Sequence, residues 1–266
     1  MSRQRAAFLL IASVQMSLIA AISLVAVALP AIQREFGLDE LQLTLVTAGY
    51  GLAFSGLLIL GGRLGDFFGA RRTFAAGMAL FGLASVAGAF SAGFFPLLAA
   101  RFGQGVGAAL AAPAALTLAS ALFADPDQRR RALAVWGGLS ASGAVAGQML
   151  SGFLVAWLGW RWVFAPPAAA ALLSLAATPG LMPRVSRAAP PHLDIPGSLL
   201  VTSGLSALTY GLLALSGESR PPSAWAVAAL GAVLIAAFLS VEARAPYGGE
   251  HRGAQGHSLP GRLQRL

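Results

Sequence analysis

Apolar and polar positions along this chain separate into long charge-free intervals and short charged punctuations. No charged residue falls from Ala6 to Gln33, Leu41 to Gly62, Thr73 to Ala100, Ala132 to Trp160, Val163 to Pro183 or Ile195 to Gly217. A helix needs about 20 apolar residues to cross roughly 30 Å of hydrocarbon, and most of these intervals are that long. Apolar residues do not alternate with polar ones, as barrel strands require, and an open sheet cannot satisfy its backbone in lipid. The pattern therefore predicts an all-α integral membrane protein with eight transmembrane helices, near 7–32, 41–62, 73–92, 95–122, 132–157, 162–182, 195–216 and 223–242. Turn chemistry marks the breaks: Phe36-Gly37-Leu38-Asp39, Ser91-Ala92-Gly93, Asp125-Pro126-Asp127 and Gly217-Glu218-Ser219.

Composition agrees with the pattern. The chain is 57% hydrophobic and 11% charged, against roughly 25% charged residues in soluble domains. The first apolar run is too long for the h-region of a signal peptide, so it reads as a retained first helix. With no cysteine, a disulfide framework and a thiolate metal site are excluded. The net charge is +8 and all 18 basic residues are arginine, but they are scattered between helices, which argues against a nucleic-acid partner. No Gly-Lys-Ser/Thr phosphate loop or nucleophile elbow occurs, so neither an ATP-driven pump nor an enzyme is expected, and no cofactor. His192, His251 and His257 lack ligand spacing, so no metal is expected either. Phe94, Phe95, Trp157, Trp160 and Trp162 read as an interfacial aromatic belt.

Loop charges predict the topology. One set of loops holds Arg3, Arg5, Arg63, Arg71, Arg72, Arg129, Arg130, Arg131, Arg184 and Arg187; the other holds Arg34, Arg161 and Arg220, diluted by Glu35, Asp39, Glu40 and Glu218. Basic residues concentrate on the cytoplasmic side. This places both termini in the cytoplasm, in a multi-pass protein of the inner (plasma) membrane. The glycine-rich stretch 247–266 has no periodicity and reads as a disordered tail.

Three motifs carry chemistry. The segment Gly62-Arg63-Leu64-Gly65-Asp66-Phe67-Phe68-Gly69-Ala70-Arg71-Arg72 is expected to form a tight loop. In it, Asp66 would accept hydrogen bonds from arginines or a helix N-terminus, closing a polar clasp. In the fourth apolar run, Arg101-Phe102-Gly103-Gln104-Gly105-Val106-Gly107 buries a charge in the bilayer, which is costly and usually functional. Gln104, one turn on, would share its polar site. In the fifth, Gly143, Gly147 and Gly152 give a flat helix face for close packing.

These motifs resemble those of the major facilitator superfamily. The first resembles its signature loop between helices two and three. The second resembles R-x-x-Q-G-x-G of its fourth helix, and Gly143 to Gly152 resembles the antiporter motif G-x-x-x-G-P-x-x-G-G, with Gln148 for proline and Ser151 for glycine. Leu24 to Pro30, Trp160 to Phe164, Leu193 to Leu200 and Leu208 to Leu212 are similar to the fourteen-helix drug:proton antiporter branch. The resemblance implies proton-coupled efflux of small hydrophobic molecules or drugs, with Arg101 and Gln104 as the relay. Gly62, Asp66, Gly69, Arg71 and Arg72 would form the conformational clasp. The branch usually carries an acid and an asparagine in its first helix, where this chain has Ala21 and Ala26; no apolar run has a carboxylate at its middle.

By the same resemblance, residues 1–187 form the N-terminal six-helix bundle, 188–246 two additional transmembrane helices, and 247–266 the tail. The second six-helix half has no counterpart. A truncated or frameshifted product is the favoured expectation. Part of a longer transporter and a half-transporter pairing with itself or a second half remain open, as does a non-transporting membrane scaffold or accessory protein. The expected partners are a small-molecule substrate, protons and the lipid bilayer.

Overall fold

The structure is a computed structural model that describes residues 3–183, 185, 195–216 and 222–244. Eight α-helices follow in order: α1 Arg3–Phe36, α2 Glu40–Phe68, α3 Ala70–Ala89, α4 Phe94–Ala121, α5 Pro126–Trp157, α6 Ala165–Leu181, α7 Ile195–Ser216 and α8 Pro222–Arg244. A short 3₁₀ turn, Trp160–Phe164, leads into α6. Among the described residues, seven helical segments are long and apolar enough to span a membrane; in α7 the apolar stretch is the shorter Leu200–Leu212. The expected tail at 247–266, and the loop residues Arg184, Arg187, His192, Glu218 and Arg220, lie outside the described residues.

Local chemistry explains the helix starts. Asp39 caps α2 in a reciprocal box: its carboxylate accepts from Gln42 N at 2.8 Å, while Gln42 Oε1 accepts from Asp39 N at 3.0 Å. Asp125 caps α5 by accepting from Gln128 N at 3.2 Å, with Pro126 at the first helical position. Helices α1, α2, α5 and α8 overrun their predicted spans, because backbone bonding and caps continue a helix beyond its apolar stretch, whereas α3 stops at Ala89 and α6 at Leu181.

The segment expected as a loop at Gly62–Arg72 is almost wholly helical. Residues through Phe68 complete α2, α3 begins at Ala70, and Gly69 alone makes the corner. It does so at φ 94°, a region L side chains avoid. Apolar pattern could not show this, because the last turns of α2 are polar yet still intrahelically bonded.

The bundle is organised around α4, which packs extensively against both α2 and α3, while α1 packs on α5 and α3 on α6. Glycines set the close approaches. A Cβ on Gly107 would lie 2.5 Å from Phe81 N of α3, and one on Gly105 would collide with the Tyr50 carbonyl of α2. With no hydrophobic drive between helices in lipid, such small-residue seams and interhelical hydrogen bonds carry the association. Among the described residues, the α7–α8 hairpin packs on itself and touches the rest of the bundle through α2 only, where the Thr202 hydroxyl donates to the Gly56 carbonyl.

Candidate functional site

Arg101 is on α4 and is fully buried, among α1, α2 and α3. Its guanidinium has five N–H donors and no acceptor. Nε donates to the Val46 carbonyl of α2 at 3.3 Å, and Nη1 to the Ala21 carbonyl of α1 at 3.2 Å and to Gln104 Oε1 at 2.8 Å. Its Cζ stands 4.8 Å from the centroid of the Tyr50 ring, a cation–π arrangement. Tyr50 is held in turn, donating from its hydroxyl to the Leu18 carbonyl at 2.8 Å.

The network continues from Gln104, also fully buried. Its Nε2 donates to Ser85 Oγ of α3 at 2.8 Å, and the Ser85 hydroxyl donates to the Phe81 carbonyl at 2.7 Å. One polar line thus runs from α1 and α2 through α4 to α3. Nη2 of Arg101 has no hydrogen-bond partner among the described residues. Nor does any carboxylate there form an ion pair with the guanidinium. Removing a charge from water costs several kcal/mol unless it is paired, so backbone carbonyls, an amide and a ring substitute for a missing anion.

On α5, Gly143 and Gly147 lie against α1, where a Cβ would meet Met16 O at 2.5 Å and Ala20 O at 2.9 Å respectively. The third expected packing glycine, Gly152, does not share that seam: it is exposed, with nothing within 4 Å of a Cβ. Five residues beyond Gly147 is about 140° round the helix, off the i, i+4 stripe. Ser151, which does continue the stripe, is buried and donates to the Leu24 carbonyl at 2.6 Å.

At one end of the bundle the clasp residues gather. Arg71 Nη2 donates to the Pro179 carbonyl at the end of α6 at 3.0 Å, and Thr73 Oγ1 donates to the Leu64 carbonyl at 3.1 Å. Arg3 donates to the Gly180 carbonyl, tying α1 to the same helix end. Asp66, however, is exposed and pairs with neither Arg71 nor Arg72 among the described residues. Of its expected arginine partners, Arg71 is turned toward α6.

The opposite end holds a cluster that sequence reading missed. Arg161 embraces Glu35 in a two-pronged pair, Nη2 to Oε1 at 2.7 Å and Nη1 to Oε2 at 2.9 Å. Trp160 Nε1 donates to the same Oε2 at 2.6 Å, and Arg161 Nη2 also donates to the Ser91 carbonyl at 3.3 Å. Trp160 is only 4% exposed, so it belongs to this brace and not to an aromatic belt; Phe95 and Trp157 are exposed. The available signal was Glu35 and Arg161 on one predicted face of the membrane with opposite charge.

The match to known sequences settles the family. The Major Facilitator Superfamily model matches residues 11–256. This chain belongs to the Major Facilitator Superfamily. Curated relatives in the superfamily include a puromycin resistance protein of Streptomyces alboniger, 41% identical over 223 residues, covering 84% of this chain and 44% of that protein. A cephamycin export protein of Amycolatopsis lactamdurans is 39% identical, covering 84% and 46%. A lincomycin resistance protein of Streptomyces lincolnensis is 39% identical, covering 91% and 50%. The chain thus spans about half the length of the curated relatives it matches. Among solved structures, the POT family transporter PepTSo superposes with a TM-score of 0.66 at 14% identity, covering 91% of this chain and 53% of that one. An auto-inhibited POT family peptide transporter gives 0.64 at 16%, covering 89% and 52%. These likenesses establish the superfamily fold; with the family match they make the chain a multi-pass membrane protein of a transporter family.

Proposed function

We propose that this chain supplies the first six-helix bundle, with two additional helices, of an efflux carrier for small hydrophobic molecules or drugs. Its basic end would face the cytoplasm and its Glu35–Arg161 end the outside, in the inner (plasma) membrane. Relatives named for antibiotic resistance and export support the substrate class. The observation that carries the reading is the fully buried Arg101–Gln104–Ser85 line. An intramembrane charge of this cost is retained for a pathway rather than for stability.

Superfamily transport rocks one bundle against another around a midplane site, so activity requires a second bundle in the working assembly. Efflux would draw on the proton gradient. With Arg101 permanently charged and no carboxylate beside it, the group that takes up the proton would come from that second bundle. The glycine seam of Gly143 and Gly147 would let α5 slide on α1 during the cycle, and Arg71 and Arg72 would release and re-form the inner clasp with Asp66.

The test is gradient-driven accumulation of a fluorescent hydrophobic cation in everted vesicles containing the chain assembled with a second six-helix bundle of the superfamily. Uptake that an uncoupler abolishes and that Arg101→Ala loses is expected. Inserted wild-type chain that moves no probe, or moves it equally with Arg101→Ala, contradicts the proposal. Cysteine labelling at Ala70 and at Gly159 checks the orientation independently.

A further inference from the structure

The inner end of the bundle contains a cavity of about 680 Å³ between the start of α1, the start of α3 and the ends of α4 and α6. Arg3, Gln4 and Arg71 line it together with Leu122, Leu181 and Met182, and among the described residues no acidic one does. A second cavity of about 560 Å³ shares Arg71 and adds Arg72. Two helix ends orient these side chains. Arg3 and Arg71 donate to the Gly180 and Pro179 carbonyls of α6, and Gln4 Nε2 to the carbonyl of Leu122, which caps the end of α4. The partial negative charge of a helix C-terminus holds a guanidinium there while committing only one of its five donors in each of these bonds.

We infer that this cavity is a binding site for the headgroup of an anionic phospholipid. Charge complementarity carries the assignment. Two guanidinium groups without a carboxylate, at the depth where helix ends meet the headgroups, favour a phosphate diester; the apolar wall of Leu122, Leu181 and Met182 suits the acyl chains attached to it. Basic pockets between transmembrane helices are the usual seats of such headgroups. The contrast with the other end of the bundle is decisive. There an apolar cavity of about 450 Å³ also includes an arginine, Arg161, but Glu35 already neutralises it, so that cavity offers no anion a net charge. A lipid at the inner site would bridge α1, α3 and α6. The site rests on membrane insertion and not on the efflux reading, because headgroups are present at whichever face this end occupies.

The experiment titrates phosphatidylglycerol into the purified full chain in detergent and follows the thermal unfolding midpoint. A saturable rise is expected for wild type and for Arg130→Gln, whose arginine pairs with Asp127 outside the cavity. Arg3→Gln and Arg71→Gln are each expected to weaken the apparent affinity about fivefold. Should Arg71→Gln fail to fold, Arg3→Gln at the chain's start still decides. An equal response to phosphatidylcholine, or an unchanged affinity in Arg3→Gln, overturns the site. Inorganic phosphate matching the lipid at equal concentration also overturns it, leaving a free-anion site. None of these outcomes bears on vesicle efflux, which tests the transport proposal separately.

Discussion

Arg101 Nη1 lies 3.2 Å from the carbonyl oxygen of Ala21, across the contact between α4 and α1. Ala21 gives the arginine only a backbone oxygen, since its own side chain is a methyl. An acid placed there would set a carboxylate beside the guanidinium. The prediction is a coupling of about 3 kcal/mol. Ala21→Asp should be tolerated with Arg101 present and strongly destabilising in an Arg101→Gln background, read as detergent unfolding midpoints. Equal costs in both backgrounds would show that the two positions are electrostatically independent.

Gln104 accepts from Arg101 and donates to Ser85, so truncating it strands two buried groups. Gln104→Ala should lower stability by about 2 kcal/mol. Gln104→Glu keeps the shape and sets an anion beside Nη1, while the Ser85 hydroxyl can turn to donate to it. That variant should be at least as stable as wild type. A Gln104→Glu protein less stable than Gln104→Ala would refute the view that the guanidinium lacks a counter-charge.

The α1–α5 seam predicts a position-specific response to added bulk. Gly143→Val and Gly147→Val should each cost about 1–3 kcal/mol through forced separation of the helices, visible as loss of monodisperse protein in size-exclusion chromatography. Gly152→Ala should be silent, since its surroundings are open. Gly69→Ala tests conformation alone: nothing lies within 4 Å of its Cβ, but its φ is 94°, so a penalty of roughly 1–2 kcal/mol is expected from backbone strain.

The Glu35–Arg161 pair has good two-pronged geometry, yet each side chain is 41% exposed. Solvent screening holds such pairs to about 1 kcal/mol or less. A double-mutant cycle of Glu35→Gln and Arg161→Gln should return a coupling in that range, falling further in high salt. Trp160→Phe, which removes a buried donor bound to Glu35, should cost as much as either charge substitution. A coupling of several kcal/mol would mean that water is excluded from this end.

The helix count and the Arg101 site were legible because the signals are local. Charge-free intervals report spans directly, and a lone arginine following Leu97-Leu98-Ala99-Ala100 announces itself. Gln104 was reachable from its one-turn spacing. Ser85 and Tyr50 were not, since a single serine or tyrosine in an apolar run carries no mark of what it faces. In the sequence Ser151 is only a departure from a glycine pattern, and the geometry shows it holding Leu24 of α1. The Glu35–Trp160–Arg161 brace joins residues more than a hundred positions apart, and pairing over that distance leaves no periodicity to read. At Gly62–Phe68 the error had another source: glycine and charge imitate a loop even where the helix continues.

Among the described residues, α7 and α8 are attached through α2 alone. An element secured on one side asks nothing of the remaining helices. The seating of the hairpin therefore hinges on a single seam, with the Thr202 hydroxyl meeting the backbone at Gly56 as its polar fastening.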